Sequence, residues 1–452
     1  MNHSLISDLS RRSFINKTGA IAAGSLLASS FAPRVHAAGD DVIKIAIVGC
    51  GGRGGGAVRQ ALNAAPNVQL FAVADVFEDR LKGLVGSVAK NLAEQGNSKK
   101  FDVPAERQFL GFDAYKKAMD ALSPGDVVLL TTPPAFRPLH FAYAVEKGLN
   151  IFAEKPIAVD IPGLKTIREA NKKAIEKNLK VGVGLNNRHY ARTAETVKAI
   201  HDGQIGDVLA AYVYRLQQIH SITPHSDRSP LEQQLRYLFN FNWTTGGFIV
   251  DALIHNLDIC AWSVGQIPVA AQGQGGRLLR RDQDQLIDSS VVEYYFNDGR
   301  RMTMYARTMA RCWGSFQGVV HGSKGSAVLG EGVGNPGLYK NFNAGKSGSG
   351  EPFWRASAPQ NDSYQTEHNL LFKAIRENQT WNEIERGIDA TFIPIMGRMA
   401  VESGQFVTAD RAWNSTFQYV PSIENLSFDG PFPLVPDANG DYPQPIPGVT
   451  EI

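Results

Sequence analysis

The run Gly49-Cys50-Gly51-Gly52-Arg53-Gly54 carries the spacing G-x-G-x-x-G between the apolar stretch Lys44–Val48 and a helical pattern. A strand feeding such a turn lets backbone approach a pyrophosphate and aims a helix N-terminus at it. A glycine run alone is a weak signal. Here it has a partner, because Asp75 closes Val73-Ala74-Asp75 about twenty residues on. A carboxylate there accepts hydrogen bonds from the adenine ribose hydroxyls and repels a 2′-phosphate. NAD is therefore favoured, with NADP kept open by the nearby Arg80. Gly49, Gly51, Gly52, Arg53, Gly54 and Asp75 are the first cofactor-binding candidates.

Two later segments extend the list. Leu129-Leu130-Thr131-Thr132-Pro133-Pro134 is a strand ending in hydroxyls and prolines. That places Thr131, Thr132 and Pro133 at the C-terminal edge of a parallel sheet, where ligands bind; a plain turn with a helix-starting proline is the alternative. Ile151-Phe152-Ala153-Glu154-Lys155-Pro156 ends another strand. A buried lysine beside a nicotinamide can polarise a carbonyl or alcohol; taken alone, Lys155 reads as a surface ion-pair partner.

Asp251 and His255 stand four residues apart in an apolar helical run, so both side chains face one way. A histidine near its ordinary pKa can take a proton from a sugar hydroxyl, and a nearby acid raises its basicity. Asp258 adds a third potential ligand, but no further cluster accompanies it, and no metal site is expected. Asn187-Arg188-His189-Tyr190 follows the last strand of the first half, and Arg188, His189 and Tyr190 are expected to enter a substrate cleft. Trp243 either stacks on a sugar ring or belongs to the core.

The elements that must hold these residues alternate. Strand patterns at Val42–Val48, Val68–Ala74, Val127–Thr131, Leu149–Ala153 and Lys180–Leu185 are separated by helical ones at Gly55–Ala65, Phe136–Lys147 and Gly163–Lys177. That order predicts βαβ units and a parallel sheet. After Asn187 the character changes. Ser289–Phe296 and Arg301–Arg307 alternate in polarity around Asn297-Asp298-Gly299, a hairpin signal. Val208–Gln217 and Gly318–Gly322 read as further strands, so an open antiparallel sheet is expected. Helices are expected at Ser363–Glu377 and Ile384–Ser403, a long loop over Gly330–Gln360, and an extended C-terminal segment.

With 452 residues, 43% hydrophobic and 20% charged, the chain has material for two cores. The N-terminus holds Ser10-Arg11-Arg12-Ser13-Phe14-Ile15-Asn16-Lys17, an apolar run from Gly19 to Ala32, and Val35-His36-Ala37. Paired arginines, a short apolar run and a small-residue cleavage site form a twin-arginine export signal, expected over residues 1–37. The apolar run is too short for a stable membrane span. The formal charge of +2 becomes −1 once those residues are removed, so no nucleic-acid partner is implied. Cys50, Cys260 and Cys312 are too few for a disulfide framework.

Taken in order, the glycine turn, Asp75, Thr131–Pro134, Glu154-Lys155-Pro156 and the run Gly246–Asp258 resemble the glucose–fructose oxidoreductase / inositol dehydrogenase (Gfo/Idh/MocA) family. The resemblance covers nearly the whole chain after residue 37. It implies an α/β fold with a Rossmann domain at 40–187 and a second α/β domain at 188–452, whose open, mainly antiparallel sheet serves homo-oligomerisation. It implies that Lys155, Asp251 and His255 form the catalytic group, with Glu154 and Lys155 at the cofactor. The activity implied is NAD(P)-dependent oxidation or reduction of a sugar, cyclitol or related polyol. A redox-neutral NAD-dependent glycosidase working through a 3-keto sugar, and a non-catalytic sugar-binding protein, are the alternatives. Phe248 and Leu253 stand where the family carries glycine, and both are expected to narrow the pocket. An exported, periplasmic protein of this kind is expected to hold its cofactor tightly.

Overall fold

The computed structural model describes residues 41–219, 221–223, 225, 227–330, 332–340, 351–419, 423–430 and 434–452. The export signal expected over residues 1–37 lies outside them.

Six parallel strands form the first sheet: β1 (Ile43–Val48), β2 (Val68–Asp75), β3 (Gln108–Leu110), β4 (Val127–Leu130), β5 (Asn150–Ala153) and β6 (Val181–Val183). Their order is β3-β2-β1-β4-β5-β6, the doubly wound arrangement in which the chain reverses direction at β1 and β4. Every residue of β4 and β5 is buried, as strands covered on both faces require. β3, only three residues long, carries no strand pattern and is absent from the expected strands.

Nine strands form the second sheet: β7 (Val208–Leu216), β8 (Ala270–Gly276), β9 (Ser289–Tyr295), β10 (Arg301–Arg307), β11 (Ser315–Gly322), β12 (Ser326–Leu329), β13 (Gly337–Tyr339), β14 (Trp354–Arg355) and β15 (Val407–Thr408). The order is β14-β13-β12-β11-β7-β10-β9-β8-β15. All neighbours are antiparallel except β7 and β10. β9 and β10 alternate buried and half-buried positions, so one face packs inward and the other does not. Gly299 closes their turn at φ +91°. The region expected to be a long loop contributes β13 and β14, while its residues 341–350 lie outside the described set.

Two long helices cover the buried face. Gly247–Val264, the helix with Asp251 and His255, packs on β7 and β11 and beside Ile384–Ser403. The segment Asn242–Val264 is long and apolar enough to cross a membrane by length and composition, yet 83% of its most apolar window is buried inside the protein. It is a core element, and it buries His255, Asn256 and Asp258 along with its apolar residues.

The division at residue 187 is not a clean cut. The helix Ser363–Arg376 returns to the parallel sheet and buries Leu371, Phe372 and Ile375 in one cluster with Ile45, Val58 and Leu129. A further cluster joins Phe77 and Phe136 to Leu235, Trp243, Leu426 and Tyr442. Residues of 230–243, 423–430 and 434–442 therefore close one side of the Rossmann half.

Candidate active site

Gly49 sits at φ +102°, and a Cβ there would lie 2.8 Å from the Thr132 nitrogen. A Cβ on Gly54 would lie 2.0 Å from the Gly49 carbonyl oxygen. These two glycines are needed by the protein itself: they let β1, the loop after β4 and the Gly52–Ala64 helix meet. Gly51 and Gly52 differ, since a Cβ on either would meet nothing within 4 Å. The space in front of them is left for something else. It lies at the open N-terminus of a helix whose first turn has no side-chain cap, where free N–H groups favour an anion. A dinucleotide pyrophosphate fits this cradle.

Asp75 lies at the end of β2, as the motif requires. Its Oδ2 accepts from the Cys50 N–H at 2.5 Å and its Oδ1 from the Phe77 N–H at 2.8 Å. Burial holds its pKa above the usual carboxylate range, opposed by those two amides. The carboxylate thus ties the glycine turn to β2 and retains lone pairs toward the cavity that it lines. Arg80 also lines this edge, over the Phe77 ring at 4.8 Å.

The hydroxyl of Thr131 donates to the Gly49 carbonyl at 2.7 Å, so it braces the turn. Thr132 Oγ1 meets His140 Nδ1 at 3.2 Å. His140 stacks on Tyr115 at 4.2 Å; burial, then the Arg137 charge, push its pKa down to about 3. Arg137 itself is 1% exposed and donates to the carbonyls of Thr132 and Pro156. Burial lowers its pKa to about 10.

Lys155 leaves β5 just before a cis bond to Pro156. Its Nζ donates to the backbone carbonyl of Asp251 at 3.1 Å. That bond joins the Rossmann half to the Gly247–Val264 helix, which starts at two left-handed glycines, Gly246 and Gly247. Asp251 and His255 project from the next turns into the same space. His255 is buried, and its pKa lies well below the ordinary imidazole value. Burial is the largest cause, followed by the charges of Lys155 and Arg215. The expected near-ordinary pKa, raised by Asp251, is therefore corrected: burial and the Lys155 and Arg215 charges oppose protonation and hold the imidazole neutral.

One cavity of about 960 Å³ joins these parts, within the range of small-molecule sites. Gly49, Gly51, Gly52, Arg53, Gly54, Asp75, Thr131, Thr132, Pro133, Glu154, Lys155, Asp251 and His255 all line it. Arg53 differs from expectation in one respect. Its guanidinium bonds to Glu154 and to Gln60 Oε1, and does not stand free for a phosphate.

The four residues expected at the substrate are not on the cavity wall. Arg188 forms a two-pronged bond to the buried Asp258, 2.7 Å on each arm, which neutralises an acid inside the core. That pairing also accounts for Asp258. His189 Nε2 faces Glu383 at 3.3 Å. The Tyr190 hydroxyl donates to the Gly334 carbonyl. Trp243 is 1% exposed and its indole N–H donates to Gln234, so it belongs to the core. Phe248 lines the cavity, whereas Leu253 is wholly buried and does not narrow it.

In their place the walls carry Arg215, Gln217 and Gln218 from the end of β7, and Tyr364 from the start of the Ser363–Arg376 helix. The signal for Arg215 was legible: it is the charged residue at the end of an otherwise apolar and aromatic strand. Tyr364 had no local signal, because only the return of its helix to the parallel sheet brings it near.

Residues 43–185 match the family model for the NAD-binding Rossmann fold of the GFO/IDH/MocA oxidoreductases, and residues 193–328 match that family's C-terminal domain. The chain belongs to this oxidoreductase family. Inositol 2-dehydrogenase of Burkholderia multivorans is 25% identical over 256 residues, 55% of this chain and 63% of that protein. The chain thus spans a little under two thirds of that relative's length. The scyllo-inositol 2-dehydrogenase (NAD(+)) of Bacillus subtilis is 24% identical over 64% of this chain and 74% of its own. Among solved structures, levoglucosan dehydrogenase, in complex with NADH and levoglucosan, shares the fold with a TM-score of 0.60 at 19% identity, covering 82% of this chain and 100% of that one. Among the described residues no group of three or more His, Cys, Asp or Glu is placed to hold a metal ion.

Proposed function

We propose that this protein is an NAD-dependent dehydrogenase of a cyclitol, sugar or related polyol, with Lys155, Asp251 and His255 as its acid–base group. The observation that carries this reading is a single cavity with the glycine cradle at one end and those three side chains at the other. A bound nicotinamide supplies the hydride acceptor. The chain's own residues do the rest. His255, neutral by burial, takes the proton of the reacting hydroxyl. Lys155, held by the Asp251 carbonyl, donates to that oxygen and keeps the ring facing the cofactor end. The Asp251 carboxylate binds a neighbouring hydroxyl. Gln217 and Gln218 offer the neutral donors and acceptors that a polyol requires. The inositol dehydrogenases among the relatives support the substrate class.

NAD fits this site better than NADP, because Asp75 stands at the ribose edge. Tight retention is part of the reading: Phe428 stacks on Phe77 at 5.7 Å, and Arg236 bridges to Asp79 across the same edge. Arg11-Arg12 and the apolar run after them support export by the twin-arginine route to the periplasm, with the cofactor bound before transport. The half-exposed face of the nine-stranded sheet, where Tyr214 and Tyr305 stack at 5.4 Å, is the surface for a homo-oligomer. The test is to purify the exported form, identify bound nucleotide by mass, and screen cyclitols and sugars for its reduction. Reduction by a polyol that fails in His255→Ala supports the reading. Nucleotide-free protein that neither binds NAD nor turns over any polyol refutes it.

A further inference from the structure

We propose that Arg53 and Arg137 are positioning residues for Lys155, each gripping one of its two chain neighbours. On one side Arg53 Nε bonds to the carboxylate of Glu154. Its Nη1 donates to Gln60 Oε1 at 2.8 Å, its Nη2 faces Glu367 at 3.6 Å, and its plane lies over the Tyr364 ring at 4.8 Å. On the other side Arg137 donates to the carbonyl of Pro156 and, with the same guanidinium, to that of Thr132. Between the two grips, Lys155 reaches Asp251.

The space for the first grip is built into the chain. A Cβ on Gly56 would lie 2.7 Å from Arg53 Nη1, and a Cβ on Gly184 would lie 2.6 Å from Glu154 Oε2. Two glycines on separate elements thus clear the slot in which the pair lies. A guanidinium suits both jobs. Its fixed fork spans two acceptors at once, which an ammonium on a flexible stem does not. Arg53 therefore leaves the pyrophosphate to the backbone of Gly51 and Gly52 and acts through Glu154. The Arg137 grip ties the loop after β4 to the loop after β5, so the Thr132 and Lys155 ends of the site move as one.

The role of Lys155 rests on the dehydrogenase reading above; the grip itself does not, and the experiment separates them. Arg137 is wholly buried, so its variants report folding as well as position, and Arg53 carries the test. Arg53→Ala, Glu154→Gln and the double variant are compared with the wild-type protein in three ways. Reductive methylation followed by peptide mass measures the exposure of Lys155 Nζ. Nicotinamide fluorescence measures NADH affinity. Polyol oxidation measures kcat/KM. Each single variant is expected to raise the labelling rate of Lys155 about tenfold, the scale of one lost charged hydrogen bond. The double variant should add nothing, and NADH affinity should stay within about twofold. The kcat/KM should fall ~100-fold, as for a reacting group displaced by about an ångström. Unchanged labelling, additive effects, or loss of NADH binding in Arg53→Ala alone overturns the proposal. If the wild-type protein oxidises no polyol, labelling and NADH affinity still decide the grip, and only the dehydrogenase reading fails.

Discussion

Acidification should unmask one buried imidazole beside the cofactor loop. His140 is 4% exposed, and its pKa is pushed down to about 3. In the unfolded chain it titrates at its ordinary value near 6.5. Between those values the unfolded state binds nearly one proton more than the folded state. Stability carried by this residue is therefore intact above about pH 6.5 and lost as pH falls toward 3. The slope approaches 1.36 kcal/mol per pH unit, and integration from pH 7 to pH 5 gives a loss of about 2 kcal/mol. The folded value scarcely affects this result so long as it lies well below 5. Burial raises the pKa values of Glu367 and Glu402, and these acids act in the opposite sense, so the bare pH profile of the protein does not isolate His140. The comparison with His140→Asn does. Urea unfolding of both proteins at pH 7 and pH 5 should show the stability gap between them shrinking by about 2 kcal/mol on acidification. A gap that stays constant across that range would show that the imidazole is not held neutral by burial.

The glycines of the turn should separate by role: Gly54→Ala collides with the Gly49 carbonyl and should unfold at markedly lower temperature. Gly51→Ala meets no protein atom, so it should keep the wild-type Tm and weaken NADH binding about tenfold or more, because its methyl occupies the pyrophosphate seat. Trp243→Phe should lower stability by about 1–3 kcal/mol, the cost of leaving buried Gln234 without its indole partner, and leave the polyol KM unchanged. Arg188→Ala strips the buried Asp258 of its counter-ion and should cost about 3–5 kcal/mol by denaturant unfolding. Substrate affinity measured on the surviving folded fraction should be unaltered, because Arg188 does not reach the cavity.

Period and punctuation made most of the fold legible. β1, β2, β4 and β5 are apolar runs bounded by glycine, proline or charge, and the Asn297-Asp298-Gly299 turn fixes the β9–β10 pair. β12, Ser-Ala-Val-Leu between Gly325 and Gly330, is such a run too and was not among the expected strands, whereas β3 and β8 lack the pattern. β3 is Gln-Phe-Leu, and β8 is largely glycine and glutamine, held by its neighbours and not by its own residues. The cofactor end of the site was legible because its geometry is local: a turn, the end of the next strand, and the ends of two more. Substrate-side residues were misplaced because proximity in sequence to β6 says nothing of which acid waits in the core. Arg188 pairs with Asp258, seventy positions away, and Trp243 finds Gln234 on a short helix. Tyr364 belongs to the cavity through packing that only the assembled halves create, whereas Arg137 reaches it within the Rossmann half, by bonds to the carbonyls of Thr132 and Pro156.

The most direct measurement is near-ultraviolet absorbance of reduced nicotinamide when the purified protein, loaded with NAD, is mixed with individual cyclitols and sugars. At least one polyol should reduce the cofactor in the wild-type protein, and His255→Ala should bind NADH normally while losing that reduction. A His255→Ala protein that reduces its cofactor at the wild-type rate would contradict the account.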